Sequence, residues 1–329
     1  MKITKLFLSV FVFLLFSNSL MACDFCALYL ASQSESGSSK GFYLGVSEQY
    51  THFGTLQMDG QEVPNTINQY MNSSNTQFYF AYGVNDYVGV QVNLPLIHRS
   101  FRRPFNGAIQ DGTLTGIGDM SLLVKVLPYR KIDENFSFYW KILAGVKFPT
   151  GSSSYLQEEA NEVSMMNSGE EEMDMEGGLP ESGIHGHDLA LGSGSYDAIF
   201  GTSIYTRYHR FFATLDVQGF LRTPGSYDYR YANEVQWNAG PGGYLLLSDL
   251  QTLSLQARFG GEYKGLDSLG SFVMPDTGMT SVYVGPDLQY TWKKYISVDA
   301  GADFPLLLNN TSLQIVPDYR IRGAITGHF

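Results

Sequence analysis

The sequence predicts an all-β fold, an antiparallel up-and-down transmembrane β-barrel of about twelve strands. Three observations predict it. Apolar residues recur at every second position through a long series of segments, the connections alternate between short turns and long loops, and the chain opens on an export leader. Successive strand side chains point to opposite faces, so period-two patterning gives each segment one apolar and one polar face.

Residues 1–22 read as a signal peptide. "MKITK" supplies two lysines, "LFLSVFVFLLF" an uncharged apolar run, and "SNSLMA" the small and polar residues before Cys23. The apolar run is shorter than the roughly 20 residues a spanning helix needs. Residues 23–40 form an N-terminal periplasmic segment carrying "CDFC", which sets Cys23 and Cys26 at CxxC spacing. Attachment of a c-type haem requires His directly after the second Cys, and that residue is Ala27. A zinc site would need two further ligands, and no second CxxC exists. "LMAC" also resembles a lipobox, so the alternatives are a lipidated Cys23, a disulfide or reduced pair with Cys26, and a redox or metal role. No cofactor is predicted.

Composition narrows the partners. The chain has 35 Gly, 22 Tyr and 22 Phe but only 16% charged residues, which suits a wall between lipid and a lumen. Its net charge of -11 becomes -13 when Lys2 and Lys5 leave with the leader, which argues against nucleic acid as a partner.

Residues 41–329 supply the barrel. "GFYLGVSEQY" sets Phe42, Leu44 and Val46 on one face, and "TQFYFAYGV" does the same with Phe78, Phe80, Tyr82 and Val84. "YVGVQVNLPL" opposes Val88, Val90, Val92 and Leu94 to Gly89, Gln91 and Asn93. "MSLLVKV" opposes Leu122 and Val124 to Ser121 and Lys125, and "FSFYWKILAGVKF" opposes Ile142 and Val146 to Lys141 and Lys147. "FFATLDVQGFL" sets Leu215 and Val217 against Thr214, Asp216 and Gln218. The same split recurs in "LSLQARF", "SVYVGPDLQYTW" and "ISVDAGADF".

Short connections ("GVNDY", "PYRKIDEN", "RYHR", "LSDLQT", "WKKY") alternate with long ones over residues 54–73, 99–117, 149–194, 223–233 and 264–280. Short periplasmic turns and long extracellular loops are the pattern of an outer-membrane barrel. The apolar face then meets lipid, with Trp140, Trp237 and Trp292 near strand ends as an aromatic girdle. The polar face lines a lumen, whose candidate residues are Lys125, Lys141, Asp216, Arg258, Asp287, Asp299, Asp303, Arg320 and Arg322. Pairing among these charges would narrow or close it. A secreted β-sandwich is the alternative, and it would need several polar outer faces.

The chain ends "YRIRGAITGHF", again alternating, with Phe329 as the final residue. This resembles the C-terminal signal by which outer-membrane barrels are recognised for insertion, and implies the barrel assembly machinery as a partner.

Four stretches together resemble the outer-membrane barrel family labelled "putative MetA-pathway of phenol degradation", a transporter-like group: "GIGDMSLLVKV" (116–126), "AGVKFPTGSS" (144–153), "LGSGSYDAIFG" (191–201) and the closing strand. The resemblance implies a channel of the kind that passes small hydrophobic compounds. "CDFC" and the acidic insert depart from that pattern.

The acidic loop within 149–194 is the one low-complexity stretch. Residues 157–188 hold ten acidic residues, four Met and two His, with no Lys or Arg from 148 to 206. It reads as a solvated exterior loop, and His185 and His187 with Met or carboxylates as a candidate metal site. No GxSxG elbow is present. The sequence therefore predicts a channel or transporter for small solutes, hydrophobic compounds among them, set in outer-membrane lipid. A non-conducting structural or partner-binding barrel is the alternative, and an outer-membrane hydrolase a third.

Overall fold

The computed structural model describes residues 40–168, 179–293 and 295–329. The leader, Cys23 and Cys26 lie outside the described residues, as does the most acidic part of the insert. Twelve strands build the wall: β1 (Gly41–Met58), β2 (Tyr70–Gly83), β3 (Val88–Phe105), β4 (Ser121–Ile132), β5 (Phe136–Lys147) and β6 (Asp197–Tyr208). They continue with β7 (Phe211–Leu221), β8 (Glu234–Leu247), β9 (Gln251–Lys264), β10 (Met279–Trp292), β11 (Ile296–Asn310) and β12 (Leu313–His328). Each pairs antiparallel with the next, and β12 pairs with β1 to close the cylinder. Closure joins the last strand to the first, so the sheet has no terminal edge strand, as a barrel in lipid requires.

The terminal residue takes part in closure. The Phe329 amide donates to the Phe42 carbonyl at 2.9 Å, and the Phe42 amide donates to the Phe329 carbonyl at 3.0 Å. The Phe329 ring itself stands exposed on the outside.

Burial follows the alternation, turned inside out relative to a soluble protein. On β1, Phe42 and Leu44 are exposed while Ser47, Gln49 and Thr51 are buried. On β4, Leu122, Val124 and Val126 face out, and Ser121 and Lys125 are buried. Gly45 is the inward position beneath Tyr79. A Cβ there would lie 2.2 Å from Tyr79 Cζ, so only glycine lets the ring lie flat against the wall.

Face assignment yields a prediction. Arg at Leu122 or Ile142 is expected to destabilise the bilayer-inserted barrel by about 2–4 kcal/mol, whereas Arg at Thr214, which borders a cavity, is tolerated. Urea titration in liposomes measures the difference, and equal costs would reverse the inside and outside assignment. Gln91 does not belong with Thr214. It is fully buried and accepts from Lys125 Nζ at 2.6 Å, so a second cation there would meet the first.

Two long loops expected from the sequence are strands. β1 runs on to Met58, turns at Asp59 and Gly60, both at positive φ, and pairs back through Gln61–Val63. β3 runs on to Phe105, turns at Asn106 and Gly107, also at positive φ, and returns through Ala108–Ile117. Both are the two-residue hairpin turns that Asp-Gly and Asn-Gly favour. The sixth outer connection is a two-residue turn at Thr311 and Ser312, shorter than the pattern predicts. Trp237 lies inside β8 rather than at its end.

Candidate functional site: the lumen and its plug

The described parts of the insert between β5 and β6 do not stay in solvent. Its first part forms helix α1 (Leu156–Ser168), and its return carries the short helix α2 (Gly186–Leu189). Leu156 and Val163 pack with Ala190, Tyr229 and Met274, while Ile184 and Leu189 pack with Leu56, Met71, Phe101, Leu313 and Ile315. Those partners come from β1, β2, β3, β12 and two outer loops. These described parts of the insert therefore sit in the extracellular mouth as a plug, which corrects the expectation of a solvated loop for residues 156–168 and 182–190. The apolar residues that the mouth buries, Leu156, Val163, Ile184 and Leu189, are few among many carboxylates.

The insert leaves and rejoins the wall at one polar knot. Asp119 accepts from the Gly151 amide at 2.9 Å, from the Ser193 amide at 2.9 Å and from Lys147 Nζ at 2.6 Å. Lys147 also pairs with Asp197 at 2.9 Å, and Arg222 joins Asp197 at 3.2 Å to Glu234 at 3.0 Å. "GIGDM", "KFPTG" and "GSGSYD" are thus remote in sequence and adjacent in space. Sequence reasoning found these stretches but not the knot they form. Lys147 also touches Ser193, a pair of residue types used in nucleophilic catalysis. Here Lys147 Nζ contacts Asp119, Asp197 and Ser193 together, which anchors the two ends of the insert to the wall.

A second clamp lies inside the plug. His187 Nδ1 is 2.9 Å from Glu159 Oε1, and His187 Nε2 is 3.5 Å from Asp188 Oδ1. Burial alone would lower the imidazole, yet the charges of Asp188 and Glu159 raise it to about 10. Burial likewise works against the Glu159 carboxylate, which His187 nevertheless holds at about 2. The ring is therefore an imidazolium between two carboxylates, an arrangement with no lone pair facing a cation. His185 turns to Asp276 at 3.3 Å. Among the described residues, no group of three or more His, Cys, Asp or Glu side chains is arranged to hold a metal ion.

Below the plug the interior divides in two. The lower chamber, about 440 Å³, is bordered by Lys125, Lys141, Asp216, Arg258, Asp287, Asp299 and Arg322. Tyr139, Tyr205, Phe212 and Tyr244 line the same space, the Tyr205 and Tyr244 hydroxyls 2.8 Å apart. The upper chamber, about 200 Å³, has apolar wall from Phe53, Met71, Met279, Tyr283, Ile315 and Pro317.

Between the chambers lies a belt of paired charges. Arg322 makes a bidentate pair with Asp303, Nε to Oδ2 at 2.7 Å and Nη2 to Oδ1 at 3.0 Å, and reaches Asp287 Oδ2 at 2.7 Å. Arg258 donates to Asn238 Oδ1 at 2.5 Å and lies 4.0 Å from Asp287. Arg320 pairs with Glu262 at 3.2 Å and stacks on the Tyr283 ring at 4.0 Å. Such charge-assisted forks hold side chains in fixed positions across the lumen. Glu262 and Tyr283 were not singled out by sequence, although both fall on the polar or glycine-rich side of alternating segments.

Solved structures with this architecture are outer-membrane proteins. An outer-membrane channel from Pseudomonas putida F1 is similar at a TM-score of 0.62 and 12% identity, over 90% of this chain and 98% of that one. The fold is that of an outer-membrane barrel. The transport unit of the autotransporter AIDA-I from Escherichia coli (TM-score 0.47, 10% identity, 92% and 93% covered) and the beta domain of the Bordetella autotransporter BrkA (0.44, 9%, 87% and 99%) are more distant. The chain matches no family model and no curated protein.

Proposed function

We propose that this barrel is an outer-membrane channel for small solutes, with small hydrophobic compounds as its class. The observation that carries the reading is an interior that is chambered rather than packed solid. A purely structural barrel of this size fills its lumen with side chains, whereas here cavities of about 440 and 200 Å³ lie on either side of the charged belt. The apolar wall of the upper chamber and the aromatic wall of the lower one support hydrophobic cargo. The resemblance to the phenol-pathway barrel family supports the same class. In this reading Lys125, Lys141, Asp216, Arg258, Asp287, Asp299, Asp303, Arg320 and Arg322 line the path, and Phe329 serves the assembly machinery.

Conductance of the refolded protein in a planar bilayer, with uptake of an apolar fluorophore by cells carrying it, tests the reading. Passage of either is expected. Passage of neither would leave the non-conducting structural barrel. Removing Phe329 is expected to lower the amount of assembled, heat-modifiable barrel in cells while synthesis continues, and equal assembly would remove the signal role.

A further inference from the structure

Near the short turns, the lower chamber is walled on one side by rings. Tyr139 of β5, Tyr205 of β6, Phe212 of β7 and Tyr244 of β8 sit side by side on the inner face. Ring centroids are 5.8 Å apart from Tyr139 to Tyr205, 5.8 Å from Tyr205 to Phe212 and 5.2 Å from Phe212 to Tyr244. Phe212 rests on bare backbone, since a Cβ on Gly242 would lie 2.2 Å from its Cζ. Four neighbouring strands thus present one continuous aromatic surface to a cavity of about 440 Å³.

Cations flank that surface. Arg130 is the direct cross-strand partner of Tyr139, so the two side chains share the lumenal face. Arg207, two residues from Tyr205 on the same face, borders the chamber. Its guanidinium donates to the His209 carbonyl at 2.9 Å, the Glu134 carbonyl at 3.4 Å and Ser137 Oγ at 3.1 Å, all of them neutral acceptors. Among the described residues no carboxylate stands within ion-pair distance of Arg130 or Arg207, in contrast to Arg320 and Arg322 of the belt. With Arg207 added to the charges already named, five cationic and three acidic side chains border the lower chamber, in a chain whose overall charge is -11. The chamber is a positive interior in an acidic protein, and such a field draws anions.

A solute suited to both features has a flat apolar body to lie on the rings and a carboxylate for a guanidinium, whose planar fork matches that group with two parallel hydrogen bonds. A neutral apolar solute would use the rings alone, and a small inorganic anion the cations alone.

We propose that the end of the lower chamber nearest the short turns is a binding site for a small aromatic carboxylate, with Arg130 and Arg207 holding the acid group and Tyr139, Tyr205, Phe212 and Tyr244 holding the body. This rests on the channel reading and narrows its cargo to apolar compounds that carry one negative charge.

The test uses the refolded full chain in a planar bilayer, with benzoate, its neutral counterpart benzamide and acetate each added in turn to potassium chloride. Benzoate is expected to reduce the current at millimolar concentration, and benzamide and acetate only at concentrations about tenfold higher, because each lacks one half of the recognition. Arg130→Gln and Arg207→Gln are each expected to weaken the benzoate block by about tenfold, the loss that goes with one charge-assisted hydrogen bond, and to leave the benzamide block as it was. Arg207 also ties two turn carbonyls, so Arg130→Gln, at an exposed position, decides the matter if Arg207→Gln fails to assemble. Equal block by benzoate and benzamide, or a benzoate block that survives the substitution, overturns the site. If the barrel carries no current, calorimetry of benzoate on the refolded protein takes the place of the block. Binding that Arg130→Gln weakens would then uphold the site while sinking the channel reading, and no binding would overturn the site.

Discussion

Arg322→Ala is expected to lower barrel stability by about 3–5 kcal/mol, because it strips the counter-charge from two carboxylates that remain inside the barrel. Asp303 loses both arms of a bidentate pair and Asp287 loses its contact at 2.7 Å. Arg258, 4.0 Å from Asp287, is too far to replace it. Function should move the other way. The guanidinium is the plank that joins the two carboxylates across the belt, so its removal should widen the path between the chambers and favour cations. Single-channel recording should show higher conductance and a reversal potential shifted towards cation preference. Arg322→Lys keeps the charge but not the fork, and should recover stability only in part. Replacing Arg322, Asp303 and Asp287 together with Met and Asn residues should restore most of the stability while the raised conductance persists. Unchanged conductance in all three variants would mean that the belt does not limit passage.

Glu159→Gln is expected to loosen the plug, again by about 3–5 kcal/mol, since it leaves the buried His187 imidazolium with half its counter-charge. The same clamp makes plug stability depend on pH. His187 is raised above its ordinary value of 6.5, so its contribution is complete below that value and is lost as pH rises through about 10. Glu159 is lowered from 4.5, so its contribution is complete above that value and is lost as pH falls through about 2. The plug should be tightest between these ordinary values and hold across the whole neutral range. Hydrogen exchange of the α1 amides, followed from pH 7 to 11, should show protection falling progressively and levelling off near pH 10. In His187→Gln that step should vanish and protection should be low throughout. A plug equally protected in both proteins would show that the clamp is idle.

Much of the wall was legible. Leu122, Val124 and Val126 against Ser121 and Lys125 form the alternation of a strand with one lipid face and one lumen face, and the burial of each follows it. The Asp-Gly and Asn-Gly pairs at 59–60 and 106–107 carry a hairpin signal too, but the strands around them change from apolar to polar where they leave the hydrocarbon, and so resemble loops in sequence. His52 and Asn72 on the outer face, hydrogen-bonded at 2.6 Å, mark that change. The plug was hidden for a different reason. Its carboxylates dominate the composition of the insert, whereas its fold depends on a handful of residues such as Leu156, Val163, Ile184 and Leu189.

By itself the sequence determined which residues face lipid and which face the lumen, because side-chain direction in a strand is a local consequence of a two-residue repeat. It determined the inventory of charges inside for the same reason. Which charges meet was decided only by the tertiary structure. Arg322 reaches Asp303 across 19 residues and Asp287 across 35, distances set by ladder register and barrel closure rather than by any local preference. The plug and the end of the β11–β12 ladder depend on closure in the same way. Gly183 can meet Ile315 only after β12 has come round to β1, and the point where β11 and β12 part is a property of two registers that no single segment encodes.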